Sequence, residues 1–274
     1  MDYEDILYEV DGPSAVITLN RPSKLNAWTG TMDRELRDAL RRADEDANVV
    51  GIIVTGAGRG FCAGADMGNL NSIAAAGGQQ ESPLNPLANS DGIEANYHQR
   101  FSFPMTTRKP LIGAINGPAA GLGLVVSLYF DMRFASDQAR FGTAFSAIGL
   151  VAEHGINWLL PQAVGTANAL DLLYTSRVIG AAEAKEIGLV QRVFPHDELL
   201  SSTKAYVQNL ADRVSPKAMS VIKKLVLDSQ FTDLAAAARS GNRAMAASLA
   251  EPDFQEGLDA FAEKRAPRFA RLGS

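Results

Sequence analysis

Two glycine-rich turns hold the residues best suited to chemistry in this chain. The first runs from Gly56 to Asp66 after the apolar run 51–55, and the second runs from Asn116 to Leu124 after the run 111–115. Small residues let a backbone bend tightly and let another group approach it closely. Two such turns could direct two backbone N–H groups at one oxygen, which is the arrangement of an oxyanion hole. The spacing therefore predicts acyl chemistry in which a carbonyl oxygen gains negative charge.

Other common sites are not supported by the residue pattern. The run Gly56-x-Gly58-x-Gly60 does not match a dinucleotide loop, whose third glycine comes one position later, and no phosphate loop or nucleophilic-serine elbow is present. His98, His154 and His196 are scattered and have no metal-ligand spacing, so the sequence predicts no metal site. The lone cysteine, Cys62, is interpreted as a small packed residue rather than a nucleophile.

The elements that must position these turns alternate between strand and helix. The predicted strands are 14–19, 52–55, 111–115, 133–135, 140–142 and 189–194, and the predicted helices are 31–48, 93–107, 121–130 and 181–187. Beyond 197 the pattern is helical, with Pro216 and Pro252 at helix starts. The chain thus reads as an α/β core over residues 1–196 followed by a helical region over 197–274.

Residues 71–93 lack an apolar period and are predicted to form a long loop. Its place directly after the first glycine turn suggests a lid over the site. A solvated insertion without a functional role explains the composition equally well.

Composition narrows the class of protein. The chain has 274 residues, a formal net charge of −5 and one cysteine, so we expect no nucleic-acid binding and no internal disulfide. It begins without a secretory signal pattern and holds no apolar run long enough to span a bilayer. A cytoplasmic protein that does not enter the membrane is the expectation. An anionic ligand would need local cations, and the candidates are Arg21, Lys24, Lys264 and Arg265.

Four segments carry a family resemblance. They are Asn20-Arg21-Pro22-Ser23-Lys24-Leu25-Asn26-Ala27, Phe61-Cys62-Ala63-Gly64-Ala65-Asp66, Asn116-Gly117-Pro118-Ala119-Ala120-Gly121-Leu122-Gly123, and a C-terminal segment with Glu256-Gly257, Phe261 and Glu263-Lys264-Arg265. In this order and spacing they resemble the crotonase superfamily, the enoyl-CoA hydratase/isomerase group. The resemblance implies a spiral of ββα turns and C-terminal helices used in oligomer contact, hence a homotrimer or a dimer of trimers. It also implies an acyl-CoA thioester substrate, with coenzyme A as part of the substrate and no separate cofactor.

The resemblance assigns backbone donors and coenzyme A contacts to particular positions. The oxyanion donors would be the N–H groups of Ala65 and Leu122. The positions that match coenzyme A contacts in the family are Lys24, Leu25, Ala27, Ala63, Asp66, Met67, Phe261 and Lys264, the last two reaching the ligand of a neighbouring subunit. For Asp66 a turn or helix-cap role is also expected.

The acids depart from the hydratase pattern. Where that pattern has two glutamates, the second of them in F-G-x-P-E, this chain has Val125 and Phe145, which cannot transfer protons. Glu153, in Gly149-Leu150-Val151-Ala152-Glu153-His154-Gly155, matches the acid of Δ3,Δ2-enoyl-CoA isomerases. A plain helix first-turn glutamate is the other interpretation. We expect Val125, Phe145, Leu150 and Trp158 to form an apolar wall that raises the pKa of Glu153.

Three functions follow as hypotheses. The first is a shift of a 3-enoyl-CoA to a 2-enoyl-CoA in fatty-acid metabolism, with Glu153 as the single base. The second is hydration of a 2-enoyl-CoA with Glu153 and a water. The third is a non-catalytic acyl-CoA binding protein that has kept the pocket but lost the acids.

Overall fold

The computed structural model describes residues 3–66 and 92–273. The strands are β1 (Ile6–Asp11), β2 (Ser14–Leu19), β3 (Gly51–Gly56), β4 (Leu111–Ile115), β5 (Ala119–Ala120), β6 (Met132–Ser136), β7 (Arg140–Gly142), β8 (Ile179–Gly180) and β9 (Arg192–Phe194). They form a six-stranded sheet of order β1-β2-β3-β4-β6-β9 and a three-stranded sheet of order β5-β7-β8. The strands predicted at 14–19 and 111–115 are confirmed.

The larger sheet is parallel except at its β1 edge. β1 pairs with β2 in an antiparallel hairpin, whereas β2, β3, β4, β6 and β9 pair in parallel. Parallel neighbours require crossover connections over a face of the sheet, so the strands are buried on both faces. The carboxyl ends of β3 and β4 consequently lie at one edge, and both glycine turns start there.

Helices alternate with the strands along the core of the chain. They are α1 (Gly30–Glu45), α2 (Leu122–Leu128), α3 (Ile156–Val164), α4 (Thr166–Thr175), α5 (Ala181–Glu186), α6 (Leu199–Arg213), α7 (Pro216–Ser229), α8 (Leu234–Ser248) and α9 (Pro252–Glu263). The helix predicted at 31–48 corresponds to α1, and Pro216 and Pro252 begin helices as predicted.

Alternating side chains divide the core into two apolar clusters. Ile52 and Val54 on β3 pack in the cluster that holds Leu36 of α1, whereas Ile53 packs in the cluster that holds Val207 of α6. Successive side chains of a strand point to opposite faces, so one short apolar strand supplies both clusters. The glycine turn after β3 is thereby anchored on two sides.

Two predicted elements are wrong in extent. The helix predicted at 93–107 is instead a pair of short 3-10 segments, Gly92–His98 and Phe103–Thr106, because Pro104 lacks the N–H that a continuous α-helix would need at this point. The strand predicted at 189–194 begins only at Arg192, since the Val190 amide instead donates to the Ala184 carbonyl of α5.

The C-terminal region begins with a helix that belongs to the layers of the sheet. Leu199 and Val207 of α6 pack on β2, β3, β4 and β6, while α7 to α9 follow it along the chain. The division at residue 197 stays a prediction. The predicted lid over 71–93 lies, up to residue 91, outside the described residues. Within the described ranges, no helix has the length and apolar character needed to cross a bilayer.

Candidate active site

The two glycine turns pair with each other like neighbouring strands. The N–H of Cys62 donates to the Pro118 carbonyl at 3.1 Å, and the N–H of Ala120 donates to the Cys62 carbonyl at 3.0 Å. This makes a parallel bridge between Cys62 and Ala119. The sequence predicted that the turns meet, and the hydrogen bonds give the register in which they do.

The other side of the first turn is bonded to the segment around Trp28. The Trp28 N–H donates to the Gly64 carbonyl at 2.8 Å, and the Asp66 N–H donates to the Trp28 carbonyl at 3.1 Å. In such a parallel bridge the residue between, Ala65, directs its own N–H away from Trp28. Among the described residues this amide has no backbone acceptor.

The second amide, that of Leu122, begins α2. The first N–H groups of a helix have no acceptor within it, so the Leu122 amide is available to a ligand. Gly121 makes this direction possible with φ +48° and ψ −120°, which a residue with a side chain rarely adopts. A Cβ built on Gly64 would lie 3.8 Å from the Leu122 nitrogen, so the residue before Ala65 lies close to the second candidate donor.

Gly123 permits the close approach of α2 to the first turn. A Cβ at this position would overlap the carbonyl oxygen and carbon of Cys62. The helix can therefore start against Cys62 only because this position carries no side chain. The glycine of the motif thus sets the distance between the two turns.

Two buried asparagines, whose role the sequence reasoning missed, tie the first turn together. The Asn26 side chain donates to the Ala57 carbonyl at 3.0 Å and the Gly60 carbonyl at 2.8 Å. The Asn116 side chain donates to the Gly58 carbonyl at 2.9 Å and accepts from the Gly56 N–H at 3.1 Å. Buried carbonyls need such partners, and an asparagine beside each glycine run was the available signal.

The segment expected to contact coenzyme A lies against the first turn. The Ala63 N–H donates to the Leu25 carbonyl at 3.0 Å, and Lys24 is exposed at the surface of this segment. Met67, also expected there, lies outside the described residues.

Arg21, a candidate cation for a phosphate, is bonded to protein groups in this structure, and its candidacy stays a prediction. Its Nη1 donates to the Ala27 carbonyl at 2.6 Å and to the Asp66 carboxylate at 3.1 Å, and its Nε lies 3.5 Å from Asp5. Arg21 thus ties the expected coenzyme A segment to the residue that follows Ala65. Asp66 is in this ion pair, and its predicted turn or cap role, which concerns the residues that follow it outside the described ranges, stays a prediction.

The two C-terminal contact candidates lie on or just after α9. Phe261 is 86% exposed, and Lys264 ends the helix in a left-handed conformation and is exposed. Arg265, the other C-terminal cation, is paired with Glu256 and Glu263. Exposure leaves Phe261 available to a neighbouring subunit, and both this contact and the trimer stay predictions.

Glu153 precedes α3 and is partly open to solvent. Its side chain is 52% exposed, and its Oε1 lies 3.1 Å from Nε2 of His154. The hydrogen bond with His154 holds the pKa of this carboxyl below its usual range, and partial burial opposes that effect without overcoming it. The expected rise in the pKa of Glu153 is therefore wrong in direction.

Two of the four residues expected in the apolar wall are exposed rather than buried. Val125 and Phe145 are buried, but Leu150 is 46% and Trp158 is 51% exposed. Trp158 instead stacks on Phe231, with ring centroids 6.1 Å apart.

A line of packed rings connects Glu153 with the first glycine turn. Trp28, which bridges to Ala65, packs edge-on against Phe101 at a centroid distance of 6.0 Å. Phe101 packs edge-on against the His154 ring at 4.8 Å. The carboxylate and the candidate donors thus belong to one contiguous region. His154, which the sequence reasoning left as a scattered histidine, is part of it.

This segment differs from the hydratase motif in its backbone conformation as well as in its residues. Ala144 stands where F-G-x-P-E has proline and has φ +61°, in the left-handed region. Proline cannot adopt this angle, because its ring fixes φ near −65°. The turn that would carry the second hydratase acid therefore has another shape here, and Phe145 is buried within it.

Among the described residues, neither Cys62 nor the residue types that bind metals provides a further reactive site. Cys62 is fully buried, and burial raises the pKa of its thiol to about 12, so it is the packed residue predicted from sequence. Within residues 3–66 and 92–273, His, Cys, Asp and Glu side chains form no group that could hold a metal ion.

Comparison with known proteins identifies the family. The family model for enoyl-CoA hydratase/isomerase matches residues 11–271. A probable enoyl-CoA hydratase of Mycobacterium bovis is 33% identical over 269 residues, covering 98% of this chain and 99% of that protein. The 1,2-epoxyphenylacetyl-CoA isomerase of Escherichia coli is 31% identical over 271 residues, covering 97% and 98%. The crystal structure of a probable enoyl-CoA hydratase/isomerase from Mycobacterium abscessus superposes with a TM-score of 0.84 at 30% identity, covering 97% and 98%.

The fold and the paired turns define an α/β protein of the crotonase type, which confirms the predicted fold class. The chain belongs to the enoyl-CoA hydratase/isomerase family.

Proposed function

We propose that this protein isomerises a 3-enoyl-CoA to a 2-enoyl-CoA. The amides of Ala65 and Leu122 bind the thioester oxygen, and Glu153 takes the proton from C2 and returns it at C4. The observation that carries the proposal is the main-chain pairing of the two glycine turns beside these amides, neither of which has a backbone acceptor in the described residues. Atoms balance, because the proton that leaves C2 is the one added at C4.

The two amides stabilise the negative charge whose formation is the main energetic cost of the reaction. The α-proton of a thioester is a poor acid because its removal places negative charge on the carbonyl oxygen. Fixed donors that meet this charge without reorganising are each worth about 3–4 kcal/mol in acyl-transfer enzymes. Two of them, held by the Cys62–Ala119 bridge and the Gly121 turn, supply stabilisation where the charge appears.

Glu153 supplies the base that the hydratase positions lack. Its pKa lies below the usual range, so the carboxylate is ionised at neutral pH and can accept a proton. Val125 and Phe145 offer no group that competes for it. In isomerisation one carboxylate can make both proton transfers, because the proton removed from C2 is the one returned at C4, whereas hydration must also activate a water molecule.

The substrate's coenzyme A portion is assigned to the segment that carries Lys24, Leu25 and Ala27, beside Ala63 and Asp66. The bond between Ala63 and Leu25 sets this segment against the donor turn. Exposed Lys24 supplies the positive charge that a phosphate-rich nucleotide end requires in a chain with a net charge of −5. Phe261 and Lys264 extend this contact from a neighbouring subunit.

The test is turnover of 3-enoyl-CoA by the wild type, by Glu153→Gln and by Glu186→Gln, an exposed glutamate of α5 as matched control. Loss of the base is expected to lower kcat by about 10²–10⁴-fold, with acyl-CoA binding retained and the control unaffected. Near-full activity of Glu153→Gln rules out this base. Acyl-CoA binding by the wild type without turnover of any thioester indicates the non-catalytic binding protein instead.

Hydration of a 2-enoyl-CoA is the second candidate. It is favoured by the hydratase names of the relatives and by the half-exposed Glu153, which water can reach. Parallel assays on 2-enoyl and 3-enoyl thioesters of one chain length separate the two. Faster consumption of the 2-enoyl thioester, with formation of the 3-hydroxy product, selects hydration.

A further inference from the structure

The pair formed by Glu153 and His154 has one fixed member and one exposed member. The His154 side chain is 21% exposed and the Glu153 side chain 52%. The Glu153 carboxylate, when ionised, can only accept hydrogen bonds, so the 3.1 Å contact requires an N–H at Nε2 of His154. The donor is therefore the better-packed partner.

Two contacts and a constrained backbone hold His154 in place. Its carbonyl accepts a 2.8 Å hydrogen bond from the Tyr129 hydroxyl, and its ring packs edge-on against Phe101. Its backbone lies in the left-handed region at φ +55°, which is uncommon for a residue other than glycine. The next residue, Gly155, has φ +81° and lies so close to the Tyr129 hydroxyl that a Cβ would overlap it. Strained backbone held by several contacts is frequent at functional sites.

We propose that His154 is a positioning residue, whose imidazole orients the Glu153 carboxylate and keeps it ionised for proton abstraction. The inference rests on the proposed function of Glu153. The hydrogen bond uses Oε1, which leaves Oε2 for the substrate proton. A glutamate this exposed would otherwise rotate freely, and a fixed donor limits that freedom before the substrate binds.

Other groups around the pair do not replace His154. From the 92–107 segment, Arg100 acts on Glu153 through its charge and, like His154, favours the ionised form. From the end of α2, the Tyr129 hydroxyl faces the His154 carbonyl, and burial raises the pKa of Tyr129 to about 12, so it stays a neutral donor. The hydrogen bond from His154 is the largest influence that lowers the pKa of Glu153. Without this hydrogen bond, the charge of Arg100 still lowers the pKa of Glu153, whereas partial burial raises it.

The test is the pH dependence of kcat/KM, whose acidic limb reports the base of the free enzyme. His154→Gly accepts the left-handed backbone and removes the imidazole, His154→Asn tolerates the same backbone with a side chain shorter than histidine, and His154→Gln provides an amide donor. The matched control is His196→Gln, at a histidine that contacts the Ser136 hydroxyl at the end of β6. Circular dichroism establishes that each variant is folded.

The proposal predicts that the acidic limb moves to higher pH in the Gly and Asn variants, since an ionised group loses a favourable partner. The Gln variant is expected to keep the wild-type limb, and added imidazole is expected to restore the limb of the Gly variant. If the limb of folded His154→Gly or His154→Asn coincides with that of the wild type, His154 has no such role. If Glu153→Gln itself retains activity, the proposed function fails first, whereas an inactive Glu153→Gln with unshifted His154 variants overturns only this inference.

Discussion

The carbonyl of Cys62 accepts a 3.0 Å hydrogen bond from the amide of Ala120, so the two glycine turns are joined by main-chain bonds. This bond lies shortly before both candidate donors along the chain, since Ala65 follows Cys62 by three residues and Leu122 follows Ala120 by two. The donor geometry is consequently a property of the backbone and of the glycines that let it pack. A different side chain at position 122 would therefore leave the donor geometry in place.

Gly123→Ala is expected to disrupt the donors without touching any side-chain chemistry. The new Cβ overlaps the Cys62 carbonyl, so α2 must move and carry the Leu122 amide with it. Loss of one oxyanion donor costs about 10²–10³-fold in kcat. The control is Gly241→Ala in α8, where the Cβ meets open space and a helical alanine is favoured. Steady-state kinetics with thermal unfolding checks both, and wild-type kcat in Gly123→Ala would contradict the assignment.

Asn116→Ala is expected to lower the free energy of unfolding by about 1–3 kcal/mol, because the buried carbonyl of Gly58 and the N–H of Gly56 lose their partner. Asn96→Ala provides the comparison, since Asn96 is exposed and, within the described residues, donates to the nearby Ile93 carbonyl alone. Its effect should stay within about 0.5 kcal/mol. Urea unfolding measures both variants, and equal values would show that the cross-link does not stabilise the turn.

Ala144→Pro and Ala144→Gly are expected to change stability in opposite directions. Glycine adopts φ +61° without the cost of about 1–2 kcal/mol that a side chain carries in the left-handed region, so it should stabilise the fold. Proline would restore the hydratase motif in sequence, but it cannot adopt this angle and should destabilise the fold strongly. Thermal unfolding of both variants and the wild type measures these changes. A proline variant as stable as the wild type would mean that the turn has the hydratase shape.

Cys62 is expected to resist thiol reagents in the folded protein. Its side chain is fully buried and its thiol has a pKa of about 12, so the reactive thiolate is scarce at pH 8. Reaction with a disulfide reagent should be slow in buffer and stoichiometric in guanidinium chloride. Rapid labelling of the native protein would show that the first turn opens.

The sequence was sufficient for features that depend on local chemistry. Apolar runs predicted the strands at 14–19 and 111–115, and Pro216 and Pro252 predicted helix starts, because a proline at the first helical position loses no hydrogen bond. The glycines of both turns likewise indicated close backbone approach, which Gly123 shows most clearly.

Tertiary contacts explain what the sequence could not provide. His154 looked isolated because its partners Phe101 and Tyr129 are distant along the chain. The pKa of Glu153 was predicted in the wrong direction, since its shift depends on the left-handed backbone that brings His154 to its carboxylate. Leu150 and Trp158 are apolar residues that lie at the surface, which residue type alone does not reveal.

The central claim is that the amides of Ala65 and Leu122 bind the thioester oxygen. The structure of Glu153→Gln with a bound enoyl-CoA tests it most directly. We predict that this oxygen lies about 2.7–3.1 Å from both nitrogens. A thioester oxygen that contacts neither nitrogen, or an acyl group bound away from the two turns, would contradict the account.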